Sequence, residues 1–216
     1  MSGGGCNAMA VARMRVFNRG TLRRFRTHAL RTYESLMGVE FEATHEIPSE
    51  IRSRCTDAER YEPTSYRVLP CILRYIGSDD VFIDLGCGKG RVVCFVASKC
   101  RLKKVIGIEI VPQLVRIAMN NLANSKLLSP AEVIESDVRK ADLTQGTVYY
   151  LLNPFGEKTV QQVLKNIEAS LDANPRKIHI LYYNPLHSSV LDQTGWLHSK
   201  EMVPVPGKLR FCVWHN

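Results

Sequence analysis

No apolar run in the sequence approaches the ~20 residues that a membrane-spanning helix needs. The longest such stretches are strand-sized and broken by polar residues, so no membrane span is expected. Paired cysteines are missing too. Seven cysteines stand at positions 6, 55, 71, 87, 94, 100 and 212, odd in number, without a Cys-x-x-Cys spacing and several of them inside apolar runs. That usage argues against a disulfide framework and for a reducing compartment. No acidic cluster suggests a metal. Cys212 and His215 have a metal-like spacing without a second pair, and on a strand their offset points them to opposite faces. No metal ligand set is therefore assigned.

Acids are absent from the first 33 residues, which instead carry Arg13, Arg15, Arg19, Arg23, Arg24, Arg26 and Arg31. Of the net charge of +8, seven units sit in that arm and one is left for the other 183 residues. The body is thus no basic platform for nucleic acid, and contact with phosphate is expected only through the arm. The same composition fits an amphipathic helix packing Leu22, Phe25 and Leu30, or a transit peptide. A cytoplasmic location is expected, and the acid-free, arginine-rich start leaves a mitochondrial one open. Residues 1–19 read as a disordered or targeting arm, 20–60 as a basic helical extension and lid, and 61–216 as the principal domain.

From Val81 onward, short apolar runs alternate with amphipathic segments. The runs at 81–85, 105–110, 148–152 and 178–183 are nearly continuous in hydrophobicity, as in parallel strands covered on both faces. A weaker run at 131–135 fits a further strand. Val160, Val163, Leu164, Ile167 and Leu171 share one helical face, as do Val115, Ala118, Met119 and Leu122. Such alternation predicts an α/β fold: a mostly parallel sheet with helices on both faces. Residues 196–203 and 209–215, separated by Pro204, Pro206 and Gly207, predict an antiparallel hairpin at one edge. Pro70 favours a helix that starts near Arg67 over one running through it.

The first strand runs into Asp84-Leu-Gly86-Cys-Gly88-Lys-Gly90-Arg91, with a helix to follow. Glycines at alternate positions let the backbone turn tightly and pass close to a ligand. A dinucleotide-binding turn needs Gly-x-Gly-x-x-Gly, and the position of its third glycine is Arg91 here. The loop instead resembles motif I of class I methyltransferases, which implies a Rossmann-like fold, S-adenosyl-L-methionine as cofactor, and Asp84 at its methionine end. Glu109, at the tip of the second strand, is placed to accept both ribose hydroxyls. Asp137 and Val138, after the third strand, match the motif that meets the adenine.

The fourth strand delivers Asn153-Pro-Phe-Gly. Ligands in open parallel sheets bind beyond the carboxyl ends of strands, so Asn153 is expected to face the reacting methyl group. Its amide oxygen and a neighbouring main-chain carbonyl suit the two N–H bonds of an amine. Adenine- and glutamine-directed enzymes carry one proline more at this place. Between residues 61 and 185 the chain resembles bacterial class I methyltransferases distantly related to the non-SET histone-lysine methyltransferases of the disruptor-of-telomeric-silencing type. The resemblance rests on Tyr61-Glu62-Pro-Thr64-Ser-Tyr, Phe82-Ile-Asp-Leu-Gly and Asn153-Pro-Phe-Gly-Glu. It implies that Tyr61, Glu62 and Thr64 close over the cofactor and that Asn153 lines the acceptor channel. The histone enzymes have Asn-Asn-Phe-Ala-Phe at that last motif, so the histone substrate does not carry over.

Tyr183, Asn184 and His187 follow the fifth strand as substrate-orienting candidates, with His187 a candidate base. The reading that results is methyl transfer to an amine of a protein side chain or small molecule. Its competitors are an O-methyltransferase using His187, a non-catalytic cofactor-binding adaptor and, behind both, a dinucleotide oxidoreductase.

Overall fold

The computed structural model describes residues 32, 34–42, 44–205, 207 and 209–216. The arginine arm and the first part of the expected extension lie outside them.

Seven strands form one sheet in the order β3-β2-β1-β4-β5-β7-β6. They are β1 (Val81–Leu85), β2 (Lys104–Glu109), β3 (Ala131–Glu135), β4 (Val148–Leu151), β5 (His179–Tyr183), β6 (Ser199–Val203) and β7 (Phe211–His215). The first five pair in parallel and β7 runs antiparallel between β5 and β6, so the expected hairpin is present and reaches the sheet through its second strand. Every residue of β1 and β4 is buried, in keeping with runs that are apolar throughout except for Asp84.

Two cores flank the sheet because side chains alternate along each strand. Phe82, Tyr150, Leu181 and Phe211 face one side, with α2 (Leu69–Ile72), α3 (Arg91–Lys99) and, through Leu122, α4 (Pro112–Ala123). Ile83, Tyr149, Ile180 and Trp214 face the other, against α5 (Glu157–Ala173) and α6 (Ser188–Asp192). The stripe at Val160, Val163, Leu164 and Ile167 is the buried face of α5, as its spacing predicts. Pro70 sits in the first turn of the short α2, where a missing N–H costs nothing. Among the described residues, no helix is long and apolar enough to cross a membrane.

Residues 34–60, read from sequence as extension and lid, pack onto the sheet's carboxyl edge. Among the described residues they hold a helical turn at 34–36, the short helix α1 (Ser49–Arg54), and two isolated bridges, His45 to Tyr61 and Ala58 to Phe155. Phe41, Cys55 and Ala58 are buried.

Candidate functional site

Where β1 ends, residues 86–90 turn sharply before α3. Gly86 and Gly88 have φ of +78° and +55°, a left-handed backbone that side chains resist. Space forbids side chains as well: a Cβ on Gly86 would lie 2.2 Å from Pro154, and one on Gly88 2.1 Å from the Tyr61 ring. Gly90 is the residue that precedes α3. The turn opens a cleft of about 820 Å³, part of it open to solvent, bounded by residues 58–62, the ends of β1, β2 and β4, and residues 136–138.

Glu109 reaches back from β2 to hold this turn. Its Oε2 accepts the Gly88 N–H at 2.8 Å, and its Oε1 accepts those of Ile110 at 2.8 Å and Val111 at 2.9 Å. Burial pushes its carboxyl up, and those three N–H groups pull it down. Three of its roughly four acceptor positions are therefore occupied by the protein itself. Asp84, buried on the cleft wall, makes no hydrogen bond through its carboxyl to another described residue. Burial, then the nearby Glu109, push it well above the usual carboxylate range.

Asp137 and Val138 line the far end of the cleft with Ile47, Ile110 and Leu114, an apolar slot beside one carboxylate. Both Asp137 oxygens are engaged by Arg139, at 2.9 and 3.0 Å to Nε and 2.6 Å to Nη2, which lowers the Asp137 carboxyl.

The near wall is built by tertiary contacts that sequence patterns do not announce. Tyr61 donates its hydroxyl to the Phe41 carbonyl at 2.8 Å, and Thr64 Oγ1 shares a 2.9 Å hydrogen bond with the Tyr150 hydroxyl. Glu62 pairs with Arg60 at the exposed rim. Lys89 is fully buried, paired with Glu40, and its ammonium lies 5.7 Å from the Tyr61 ring centre. Arg91 donates to the Thr64 carbonyl at 2.9 Å, to Glu42 at 2.7 Å and to Glu34 at 3.4 Å, and stacks 4.4 Å over Tyr66. A charged residue directly after a glycine turn gives no sign of being buried until its partners are known.

The expected residues divide accordingly. Tyr61, Glu62, Thr64, Asp84, Gly86, Glu109, Asp137 and Val138 all line the cleft. Gly88 and Gly90 shape its floor from behind. Asn153, expected to face the reacting methyl group, does not itself line the cleft: at φ +43° its Oδ1 accepts the Tyr182 hydroxyl at 2.8 Å and the Leu186 N–H at 3.4 Å, while its neighbours Leu152, Pro154 and Phe155 form the wall. Burial pushes the Tyr182 phenol up to about 12, so it keeps its proton and remains a donor. Tyr183 is buried on the opposite face against Phe211, and His187 precedes α6; neither touches the cleft. Arg91, Tyr150, Ser136 and Phe155 line it without having been anticipated.

A cleft at the carboxyl edge of a parallel sheet, with β7 inserted antiparallel beside β5, defines a Rossmann-like class I methyltransferase. Comparison with known proteins agrees. The family described as "Histone methylation protein DOT1" matches residues 59–166, half of the chain. A protein-lysine N-methyltransferase of Saccharolobus islandicus is 26% identical over 129 residues, covering 58% of this chain and 80% of that one. A Drosophila melanogaster histone-lysine N-methyltransferase specific for H3 lysine-79 is 26% identical over 172 residues, covering 70% of this chain and only 9% of its own length. Among solved structures, an RNA methyltransferase from Salinibacter ruber in complex with S-adenosyl-L-homocysteine superposes with a TM-score of 0.53 at 26% identity, covering 71% of this chain and 92% of that one. The chain belongs to the DOT1 family and is an S-adenosylmethionine-dependent methyltransferase.

The cleft fits that cofactor: an unpartnered buried carboxyl for its ammonium end, a close-approach turn, and an apolar slot for a base. Asp84 then makes a pH prediction. In the ligand-free fold its pKa is raised, so it keeps its proton above the usual carboxylate range. A bound ammonium favours the carboxylate, so binding expels that proton, and affinity rises with pH until the free protein has ionised Asp84 unaided. Calorimetry with S-adenosylhomocysteine in buffers of different ionisation enthalpy should show proton release in wild type and less of it in Asp84→Asn. Equal release in both would place the titrating group elsewhere.

Proposed function

We propose that this enzyme methylates the side-chain amine of lysine in a protein. The observation that carries the reading is the charge of the cleft. Its acids are Glu59, Glu62, Asp84, Glu109 and Asp137 against Arg60 and Arg91. Arg91 is neutralised from outside by Glu34 and Glu42, Arg60 offsets Glu62, Arg139 offsets Asp137, and Asp84 adds its charge once a bound ammonium ionises it, so the balance stays negative. Glu59 and Glu62 are exposed at the rim. Such a mouth attracts an ammonium and repels phosphate. The archaeal relative's name, protein-lysine N-methyltransferase, supports the same class.

The cofactor, when bound, supplies an electrophilic methyl group on a sulfonium. The residues of this chain do the rest. Tyr61, Glu62, Thr64, Asp84, Glu109, Asp137 and Val138 hold and cover the cofactor, with Gly86, Gly88 and Gly90 shaping the turn beneath it. Asn153, its Oδ1 held by Tyr182 and by the Leu186 N–H, orients the uncharged amine through the main-chain carbonyl that this anchoring fixes in place. Of the other two acceptor-side candidates, Tyr183 is buried in the core and takes no direct part, while His187, half-buried outside the cleft, is left for the incoming polypeptide. Water exclusion by the 58–62 wall and a fixed lone-pair direction are what such an in-line displacement needs from a protein.

A second reading, RNA methylation, is favoured by the Salinibacter ruber enzyme. Any contact with nucleic acid is then expected through the arginine arm, outside the described residues. The experiment is methyl labelling of lysate protein and RNA in parallel, with Asn153→Ala beside wild type. Label in protein lysine is expected. Asn153→Ala should cut turnover about a hundredfold or more while leaving cofactor affinity within about threefold, the pattern of a group acting mainly in the transition state. Label in RNA alone would overturn the lysine reading. Full turnover by Asn153→Ala would remove Asn153 from the mechanism.

A further inference from the structure

The turn that carries Asn153 enters α5 without a capping side chain of its own. The residue before the helix is Gly156, and no side chain of the turn bonds the first-turn N–H groups. Those donors are not idle. Asp57, from the opposite wall of the cleft, accepts the Thr159 N–H at 3.0 Å through Oδ2 and the Thr159 hydroxyl at 2.8 Å through Oδ1. Its carbonyl accepts the Gly156 N–H at 2.7 Å. Asp57 thus performs for α5 what a capping aspartate ordinarily does within one helix, and lends its negative charge to the helix's positive end. Burial works to raise its carboxyl, and the bonds from Thr159 and Cys55 outweigh that, leaving it lower than usual.

These bonds extend into a short ladder. Ala58 bridges Phe155 in antiparallel sense, and the Glu59 N–H donates to the Pro154 carbonyl at 3.0 Å. Two residues further on, Tyr61 packs over the glycine turn at Gly88. One continuous piece of backbone therefore touches the cofactor wall at one end and the Asn153 turn at the other, with Asp57 as its anchor. The fit is close: a Cβ on Gly156 would lie 2.9 Å from the Cβ of Asp57.

We infer that Asp57 is a positioning residue that locks the 58–62 wall to the Asn153 turn, so that closing over the cofactor also sets the acceptor side of the cleft. It touches neither cofactor nor acceptor in this role. Cofactor binding organises both walls together because they share one anchor.

The test needs no acceptor, so it is independent of whether the acceptor is lysine. The probe is S-adenosylhomocysteine added to the full chain, read by calorimetry and by amide hydrogen exchange. In wild type, the ligand is expected to slow exchange at both 58–62 and 154–160. In Asp57→Ala, protection at 154–160 should be lost while 58–62 keeps part of its own, and affinity should fall about fivefold or more as two hydrogen bonds to a charged group disappear. Asp57→Asn should restore coupled protection, since its amide oxygen accepts from the Thr159 N–H and its amide nitrogen donates to the hydroxyl. If Asp57→Ala folds poorly, Gly156→Ala gives the same reading. Its backbone, at φ −81°, accepts alanine, and the added methyl, 2.9 Å from the Asp57 Cβ, displaces that residue together with the carbonyl that accepts the Gly156 N–H. A purely structural cap would lower the melting temperature and leave both segments protected by ligand. That result, or unchanged affinity and protection in Asp57→Ala and Gly156→Ala, would overturn the inference.

Discussion

Glu109→Ala is expected to weaken the fold and abolish measurable cofactor binding together, which a residue that only touched the ribose would not do. The carboxylate accepts three main-chain N–H groups, from Gly88, Ile110 and Val111, and is buried. Removing it strands those donors at about 1–3 kcal/mol each, less where water enters the vacated space. A net loss of roughly 3 kcal/mol corresponds to a fall in melting temperature of about 6–12 °C for a domain of this size. Gly88, released from Glu109, no longer holds the turn that the cofactor must approach. Glu109→Gln keeps the shape but turns an N–H₂ group toward a donor, so it should fall between wild type and alanine. Denaturant unfolding and calorimetry on the three proteins check this. A stable Glu109→Ala that loses only affinity would make the carboxylate a ligand contact alone.

The second large effect is expected from Glu34, far from the cleft in sequence. Its Oε1 faces the Arg91 guanidinium at 3.4 Å and accepts the Tyr66 hydroxyl at 2.7 Å, and both charged side chains are about 5% exposed or less. Deleting one partner of a buried pair leaves an uncompensated charge, at about 3–5 kcal/mol. Glu42, also bonded to Arg91, moderates the loss toward the lower figure. Glu34→Ala should therefore melt on the order of 10 °C below wild type. The double variant Glu34→Ala/Arg91→Met should recover part of that, because the buried guanidinium is gone and Glu42, which then loses its partner, is 23% exposed and within reach of water. Glu62→Ala is the control: its bridge to Arg60 is 55% exposed on both sides and worth under about 1 kcal/mol. If Glu34→Ala behaves like the control, residues 34–42 are an appendage and not part of the cofactor site.

Both predictions bear on how the molecule is assembled. The N-terminal acids Glu34, Glu40 and Glu42 neutralise Arg91 and Lys89, the two cations beside Gly90. The glycine turn is thereby braced from outside the sheet, and Tyr61 is held over it through Phe41.

What was legible in the sequence is what depends on neighbours along the chain. Strand β1 is all buried, so it is all apolar but for Asp84, and its limits follow from composition alone. The face of α5 shows as a stripe because side chains three and four apart share a side. The alternate glycines, Glu109 at a strand tip and Asp137 after the next strand are legible because the fold repeats one geometry at each strand end. Tertiary structure alone decided the rest. The Arg91–Glu34 contact spans 57 residues and the Asp57–Thr159 contact 102, and no local pattern encodes either. That Asn153 follows β4 could be read from the sequence, but the direction of its amide was set by Tyr182 on the neighbouring strand and by the Leu186 N–H beyond it. Periodicity records which face of an element is buried, since burial acts on every turn or alternate residue. It carries no record of which distant polar group will satisfy a buried charge, because that pairing exists only once the chain has closed on itself.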